Sequence, residues 1–202
     1  MYTWIKLHGA IVFSLWILVF SSQLIAVPNY QFEENFPIAL EPDSMQNQRY
    51  PYIAIDENGV VHIVFVKISE LGKNIYYCQS EDLGATFSSP TQINTISNHV
   101  SAFGIAGPKI GLRGEEVIVT WADNRAGSPK LFMVFSSDGG QTWSEDWGID
   151  TDPEMQLYVD LAVDFEGRLY LAYYAYLDET GFLGIKYRFT EPWSFDFSPS
   201  LN

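Results

Sequence analysis

Cysteine is almost absent: Cys78 is the only one in 202 residues, so no intrachain disulfide can form. It lies within "NIYYCQ", the setting of an apolar strand thiol and not of a reactive one. Cations are scarce as well. Eleven Lys and Arg stand against 25 Asp and Glu, for a formal net charge of −14. That balance argues against nucleic acid and anionic membrane surfaces as partners. The three histidines make no metal centre: His99 has no second imidazole near it, and His62 falls at a strand position. Asp150, Asp152 and Glu154 lack the ligand spacing of a calcium loop and are expected to face solvent. No metal and no cofactor is expected. Helical periodicity is missing beyond the N-terminus.

One long apolar run exists, "AIVFSLWILVF", preceded by Lys6 and His8 and followed by "SSQLIA". Residues 1–26 fit a secretory signal, whose apolar core is too short to span a bilayer. An uncleaved N-terminal anchor is the alternative, because "LIA" is an imperfect A-x-A site. The expectation is an exported protein (secreted, periplasmic or on the cell surface) with no membrane span after signal cleavage. Residues 27–48 serve as an N-terminal extension or linker.

What the chain has in abundance is aromatic and β-branched residues, with Phe, Trp and Tyr at 16%, which favours β structure. It also repeats itself. "SEDLGATF" at 80–87 and "SSDGGQTW" at 136–143 share one polar skeleton and a closing aromatic. Upstream of them lie "PYIAIDENGVVHIVFV" (51–66) and "PKIGLRGEEVIVTW" (108–121), and a third copy is "VDLAVDFEGRLYLAYY" (159–174). A period of about 55 residues with several strands per unit is the mark of propeller blades, not of helical solenoids. Four antiparallel strands per blade are expected, with blades at about 49–97, 106–149 and 157–198. The run around 60–66 suits a strand buried on both faces. The third copy has lost its polar turn, keeping only Trp193 and Ser194 of "TEPWS".

The polar turn has a physical purpose. An aspartate in a turn accepts backbone amides a few residues on, the glycine two positions later adopts a backbone other residues resist, and the hydroxyls bond locally. Ser80, Asp82, Gly84, Thr86 and Phe87, with Ser136, Asp138, Gly140, Thr142 and Trp143, are therefore structural, the closing aromatic folding between neighbouring sheets. In a four-stranded meander these turns share one rim with the strand one to two hairpins. The opposite rim carries "KISELGKN" (67–74), "ADNRAGSPK" (122–130) and "AYLDETGF" (175–182). Those loops are charged and aromatic, and that rim is the default ligand surface.

S-x-D-x-G-x-T-[WF] matches both turns at every defined position, and it resembles the Asp-box, or bacterial neuraminidase repeat. Over residues 45–195 the chain is similar to sialidase-like β-propeller proteins. The resemblance implies an all-β, partial sialidase-like propeller, with further blades or domains expected C-terminal to the three present. It also implies a carbohydrate or glycoconjugate as partner. Sialidase chemistry needs arginines that grip a carboxylate, an acid, and a tyrosine nucleophile assisted by a glutamate. Arg49 in "QRYP" stands where the family has its first arginine, without the flanking aromatic and isoleucine. Asp123, Asn124 and Arg125 form the polar set of the second loop, with Arg125 as the expected ligand cation; a tie between Arg125 and Asp123 alone is the alternative. The catalytic acid and nucleophile have no assignable residue. A glycan-recognising module is the first expectation, with a truncated exo-sialidase and a protein-binding scaffold as alternatives.

Overall fold

The structure, a computed structural model, describes residues 47–149, 152–177 and 181–201. The expected signal (1–26) and most of the linker lie outside the described residues. Eleven strands and no α-helix occur among the described residues. Gln48–Ile55 (β1), Val61–Ser69 (β2), Gly72–Ser80 (β3) and Thr91–Gln92 (β4) form one antiparallel sheet in that order. Lys109–Arg113 (β5), Glu116–Asp123 (β6), Lys130–Ser136 (β7) and Trp147–Gly148 (β8) form the second. Met155–Val163 (β9), Leu169–Tyr176 (β10) and Phe182–Phe189 (β11) form the third. Here the fourth strand is reduced to isolated bridges, Thr190 to Phe197 and Tyr187 to Leu201. This is the blade whose polar turn has decayed. The chain is all-β, three blades of a partial propeller.

The alternation of each strand decides what it buries. In β2 every residue from Val61 to Val66 is buried, as expected for a strand covered on both faces. Val64 and Val66 join Ile75 and Tyr77 in the core between the first two sheets, while Ile63 and Phe65 pack with Cys78 on the other face. The middle sheet serves two cores. Val117, Val119 and Trp121 of β6 face the first sheet, and Ile118 and Ala122 face Leu157, Leu169 and Leu171 of the third.

Both polar turns close as their chemistry requires. The Asp82 carboxylate accepts from the Thr86 amide at 2.8 Å, the Thr86 hydroxyl at 2.7 Å and the Ser80 hydroxyl at 2.7 Å. The Asp138 carboxylate accepts from the Thr142 amide at 2.9 Å, its hydroxyl at 2.6 Å and Ser136 at 2.7 Å. Gly84 and Gly140 take φ of 92° and 94°, and their amides donate to the serine hydroxyls at 2.8 Å. Trp143 packs edge-on against Tyr77 of the neighbouring sheet, centroids 4.9 Å apart. The Gly139 amide donates to Glu115 O at 3.0 Å, so polar turn and hairpin share one rim.

Arg113, the last residue of β5, ties the second and third sheets. It is buried, and its Nη1 donates to Gly167 O at 2.9 Å and Ser194 O at 3.0 Å. Its guanidinium also stacks 4.5 Å from the Phe195 ring.

Candidate functional site

The rim opposite the polar turns is built from strand ends. Asp123 closes β6 and is fully buried. Its Oδ1 accepts from the Arg125 amide at 2.8 Å and Nε at 2.9 Å, and its Oδ2 from Arg125 Nη2 at 2.8 Å and Trp121 Nε1 at 3.2 Å. Burial pushes the Asp123 pKa up, but the hydrogen bonds from Arg125 and Trp121 outweigh it and hold the carboxyl below its ordinary value. Arg125 also reaches Asp146 with Nη1 at 2.7 Å and lies 4.1 Å from the Phe132 ring centroid. Asp146 in turn accepts from the Thr95 and Ile96 amides at 2.8 and 3.0 Å. The expected ligand cation thus faces two carboxylates, and all of its guanidinium nitrogens are engaged. Arg125 staples Asp123 to Asp146, and Asp146 in turn ties the second blade to the loop leaving the first.

The other expected site residues are not brought to that staple. Asn124 is exposed beside it. Arg49 is exposed on β1, donates from Nη1 to Gln48 O at 3.4 Å, and forms no ion pair among the described residues. Asp152 and Glu154, expected to face solvent, are ion-paired instead. Asp152 accepts from Arg188 Nη2 at 2.7 Å and Ser200 Oγ at 2.8 Å, and Glu154 pairs with Lys186. Basic residues are few, and the strand ends place them against this acidic segment. Asp150 lies outside the described residues. Among the described residues no three His, Cys, Asp or Glu side chains are grouped to hold a metal.

What the rim does assemble is a chain of aromatic rings. Phe103 meets Tyr158 at 5.4 Å, Tyr158 meets Tyr174 at 5.2 Å, and Tyr174 meets Phe182 at 5.5 Å between centroids. Tyr176 adds a fourth contact, 5.2 Å from Phe182. The rings come from the segment before β5, from β9, from β10 and from the start of β11. Phe103 is 41% exposed, Tyr174 37% and Phe182 56%, although large aromatics normally bury their faces. Tyr158 sits at an irregularity in the β9 register with φ of 53°, a conformation uncommon outside glycine and concentrated at functional positions. Tyr50 shows the same at the start of β1, with φ of 57°. The one sequence signal for this cluster was the aromatic character of the 175–182 loop. The meeting of Phe103 and Tyr158 had none.

Neither a protein-family profile nor a curated protein sequence matches the chain. Solved structures do resemble it. A Hadza microbial sialidase shares 16% identity over 74% of this chain and 36% of its own, with a TM-score of 0.56. An α-L-arabinanase of Penicillium chrysogenum complexed with arabinobiose shares 16% identity over 75% and 49%, with a TM-score of 0.56. The GH93 α-L-arabinofuranosidase of Fusarium graminearum, also with arabinobiose, shares 18% identity over 73% and 48%, with a TM-score of 0.56. The chain therefore spans between about a third and a half of the length of these structures. At such identities the likeness concerns the fold alone. The protein has the fold of the β-propeller glycosidases, in three blades.

Proposed function

We propose that this chain is the glycan-recognising part of an exported, sialidase-like Asp-box propeller protein. Sugar rings would bind on the rim that carries Phe103, Tyr158, Tyr174 and Phe182. The exposed aromatic chain is the observation that carries this reading. A sugar ring has an apolar C–H face that stacks on an aromatic ring, with hydroxyls left over for polar neighbours. Asn124 and Arg49 are the solvent-facing polar groups of the expected site, and the Asp123–Arg125 staple presents Asn124. The carbohydrate-acting enzymes among the fold neighbours support a carbohydrate as the partner class. Both polar turns have the hydrogen bonding an Asp-box calls for, which supports the narrower kinship. Export rests on the character of residues 1–26.

Recognition is favoured over hydrolysis because Arg125, the best placed arginine of a carboxylate grip, is committed to Asp123 and Asp146. The test is titration of the whole chain with arabinobiose and with 3′-sialyllactose, followed by intrinsic fluorescence. At least one should bind, and Tyr174→Ala and Phe182→Ala should each weaken it tenfold or more. Unchanged affinity in both variants would overturn the aromatic site, and turnover of a fluorogenic sialoside would restore the hydrolase reading.

A further inference from the structure

The junction between the first two blades is made again between the second and third, and its repetition shows what each blade offers a neighbour. Strand pairing fixes the equivalent positions. Val61 and Val117 each pair with the serine that opens a polar turn, and Leu169 holds that place beside Thr190. Counting from them, Ile53, Ile110 and Leu161 are equivalent on the innermost strands, and so are Ile55, Leu112 and Val163. On β5 and β9 these side chains point back at the preceding blade. Ile110 and Leu112 enter the core between the first two sheets, and Leu161 and Val163 the core between the second and third. They pack as knobs. A Cβ on Gly111 of β5 would meet Val163 Cγ2 at 2.8 Å and Leu161 Cδ2 at 2.9 Å. On β1 the same positions stand open: Ile53 is 57% and Ile55 63% exposed, against 3% for Ile110 and 8% for Leu161.

The receiving half of the junction stands open on the third blade. Ala162 is the counterpart of Gly111 and of Ala54, which packs into the first junction. On the face turned away from the second sheet, Ala162, Ala172, Tyr170 and Tyr187 line a groove of about 210 Å³, with Asp160 beside it. The small alanines make the groove and the two tyrosines wall it. Further out, Ile185 and Tyr187 occupy the places that Ile75 and Tyr77 hold in β3, and Leu131 and Met133 in β7. Those four counterparts are buried, whereas Ile185 and Tyr187 are largely exposed. An apolar face that is covered twice within one molecule and left open a third time is an interaction surface.

We propose that the third blade of one chain receives the first blade of a second copy, with Ile53 and Ile55 of that copy seated in the groove beside Ala162. Knob and groove are both present on one chain, in the register of the two junctions already made. Ile63, Phe65 and Cys78 are packed with Tyr76 and Phe87, so β1 supplies the contact from the first blade. The contact runs head to tail, and blades turning about a common axis bring it to closure: two copies make two identical junctions around a two-fold axis. One chain spans about half the length of the arabinanase and arabinofuranosidase propellers, so a pair amounts to about one such ring. Two chains of net charge −14 repel each other, and an apolar knob in an apolar groove is the kind of contact that overcomes this. The readout is mass and not sugar affinity, so the inference stands apart from the glycan reading.

The test is sedimentation velocity of the full chain across the micromolar range. It should move from the mass of one chain to twice that mass as concentration rises, and more completely at higher salt, which screens the repulsion. Ile53→Asp puts a charge on the knob and Ala162→Lys fills the groove; both positions are exposed, and circular dichroism melts establish that both variants are folded. Each variant alone should weaken pairing a hundredfold or more. Mixed in equal amounts they should pair again, because one junction of the mixed ring is unaltered and the other sets the new carboxylate against the new ammonium. A single-chain mass at every concentration would leave the groove to another occupant and overturn the proposal. Pairing that survives Ile53→Asp would overturn it too, since third blades would then be meeting each other, and so would a mixture that stays at the mass of one chain.

Discussion

Arg125 shows how far a side chain's neighbours decide what it can do. As a lone cation on an acidic rim it would attract any anion. Between Asp123 and Asp146 it is a structural counter-ion, holding a carboxylate that has no solvent of its own. Removing one partner of a buried pair leaves an uncompensated charge and costs about 3–5 kcal/mol. Arg125→Ala should therefore lower stability by about that amount, measured by urea denaturation. Arg168 makes the contrast. It pairs with Asp164 and Glu166 on the other rim, where it is partly exposed, and exposed pairs contribute about 0–1 kcal/mol. Arg168→Ala should shift the midpoint little. Equal losses in the two variants would remove the staple from Arg125's role.

The polar turn belongs to the scale of the element. Each one is a loop closed by a single carboxylate, and the closing bonds explain its acidity. The Thr142 hydroxyl and amide, then the Ser136 hydroxyl, hold the Asp138 pKa down at about 2. Thr86 and Ser80 do the same for Asp82, also at about 2. Because the folded values lie below the unfolded value of about 3.9, the ionised turns stabilise the fold above pH ~4. That stability disappears as pH falls through about 2. Thermal melts should accordingly fall across this window, and the double variant Asp82→Asn with Asp138→Asn should flatten that fall while melting lower at pH 7. A fall of undiminished depth in the double variant would mean that other carboxylates govern acid unfolding. Gly140 is fixed twice over, by its φ of 94° and because a Cβ there would sit 2.3 Å from the Tyr77 hydroxyl oxygen.

On the scale of the whole molecule the dominant facts are a net charge of −14 and a stack in which the middle sheet contributes to both inter-sheet cores. Like charges on a compact body repel, and salt screens them: the Debye length falls from ~30 Å at 0.01 M to ~8 Å at 0.15 M. Raising sodium chloride over that range should therefore raise the melting midpoint by a few degrees, read by calorimetry. A fall would show that screening of the ion pairs, the Arg125 staple among them, outweighs relief of the repulsion. The face of the third blade turned away from the second leaves Ile185 61% and Tyr187 43% exposed. These are apolar side chains on the alternation that buries their neighbours.

Sequence alone determined the elements of this protein. Strand alternation and turn chemistry are local, so β2, β6 and both polar turns were legible to within a residue or three, and with them the rim on which each loop emerges. Local signals failed where the backbone departs from regularity. β9 begins at Met155, ahead of the repeat copy at 159–174, because pairing with β10 runs on past the irregularity that puts Tyr158 at positive φ. Only the tertiary structure decided what the functional groups are for. The tie between Arg125 and Asp123 spans two residues and was foreseeable, whereas its second partner, Asp146, arrives on a different strand connection. Phe103, from the segment before β5, meets Tyr158 of β9, and the Tyr77 hydroxyl of β3 meets His62 of β2 and Gly139 of the second polar turn. Periodicity fixes which face a side chain occupies. Which charge it meets there is settled by packing between blades, which no local pattern encodes.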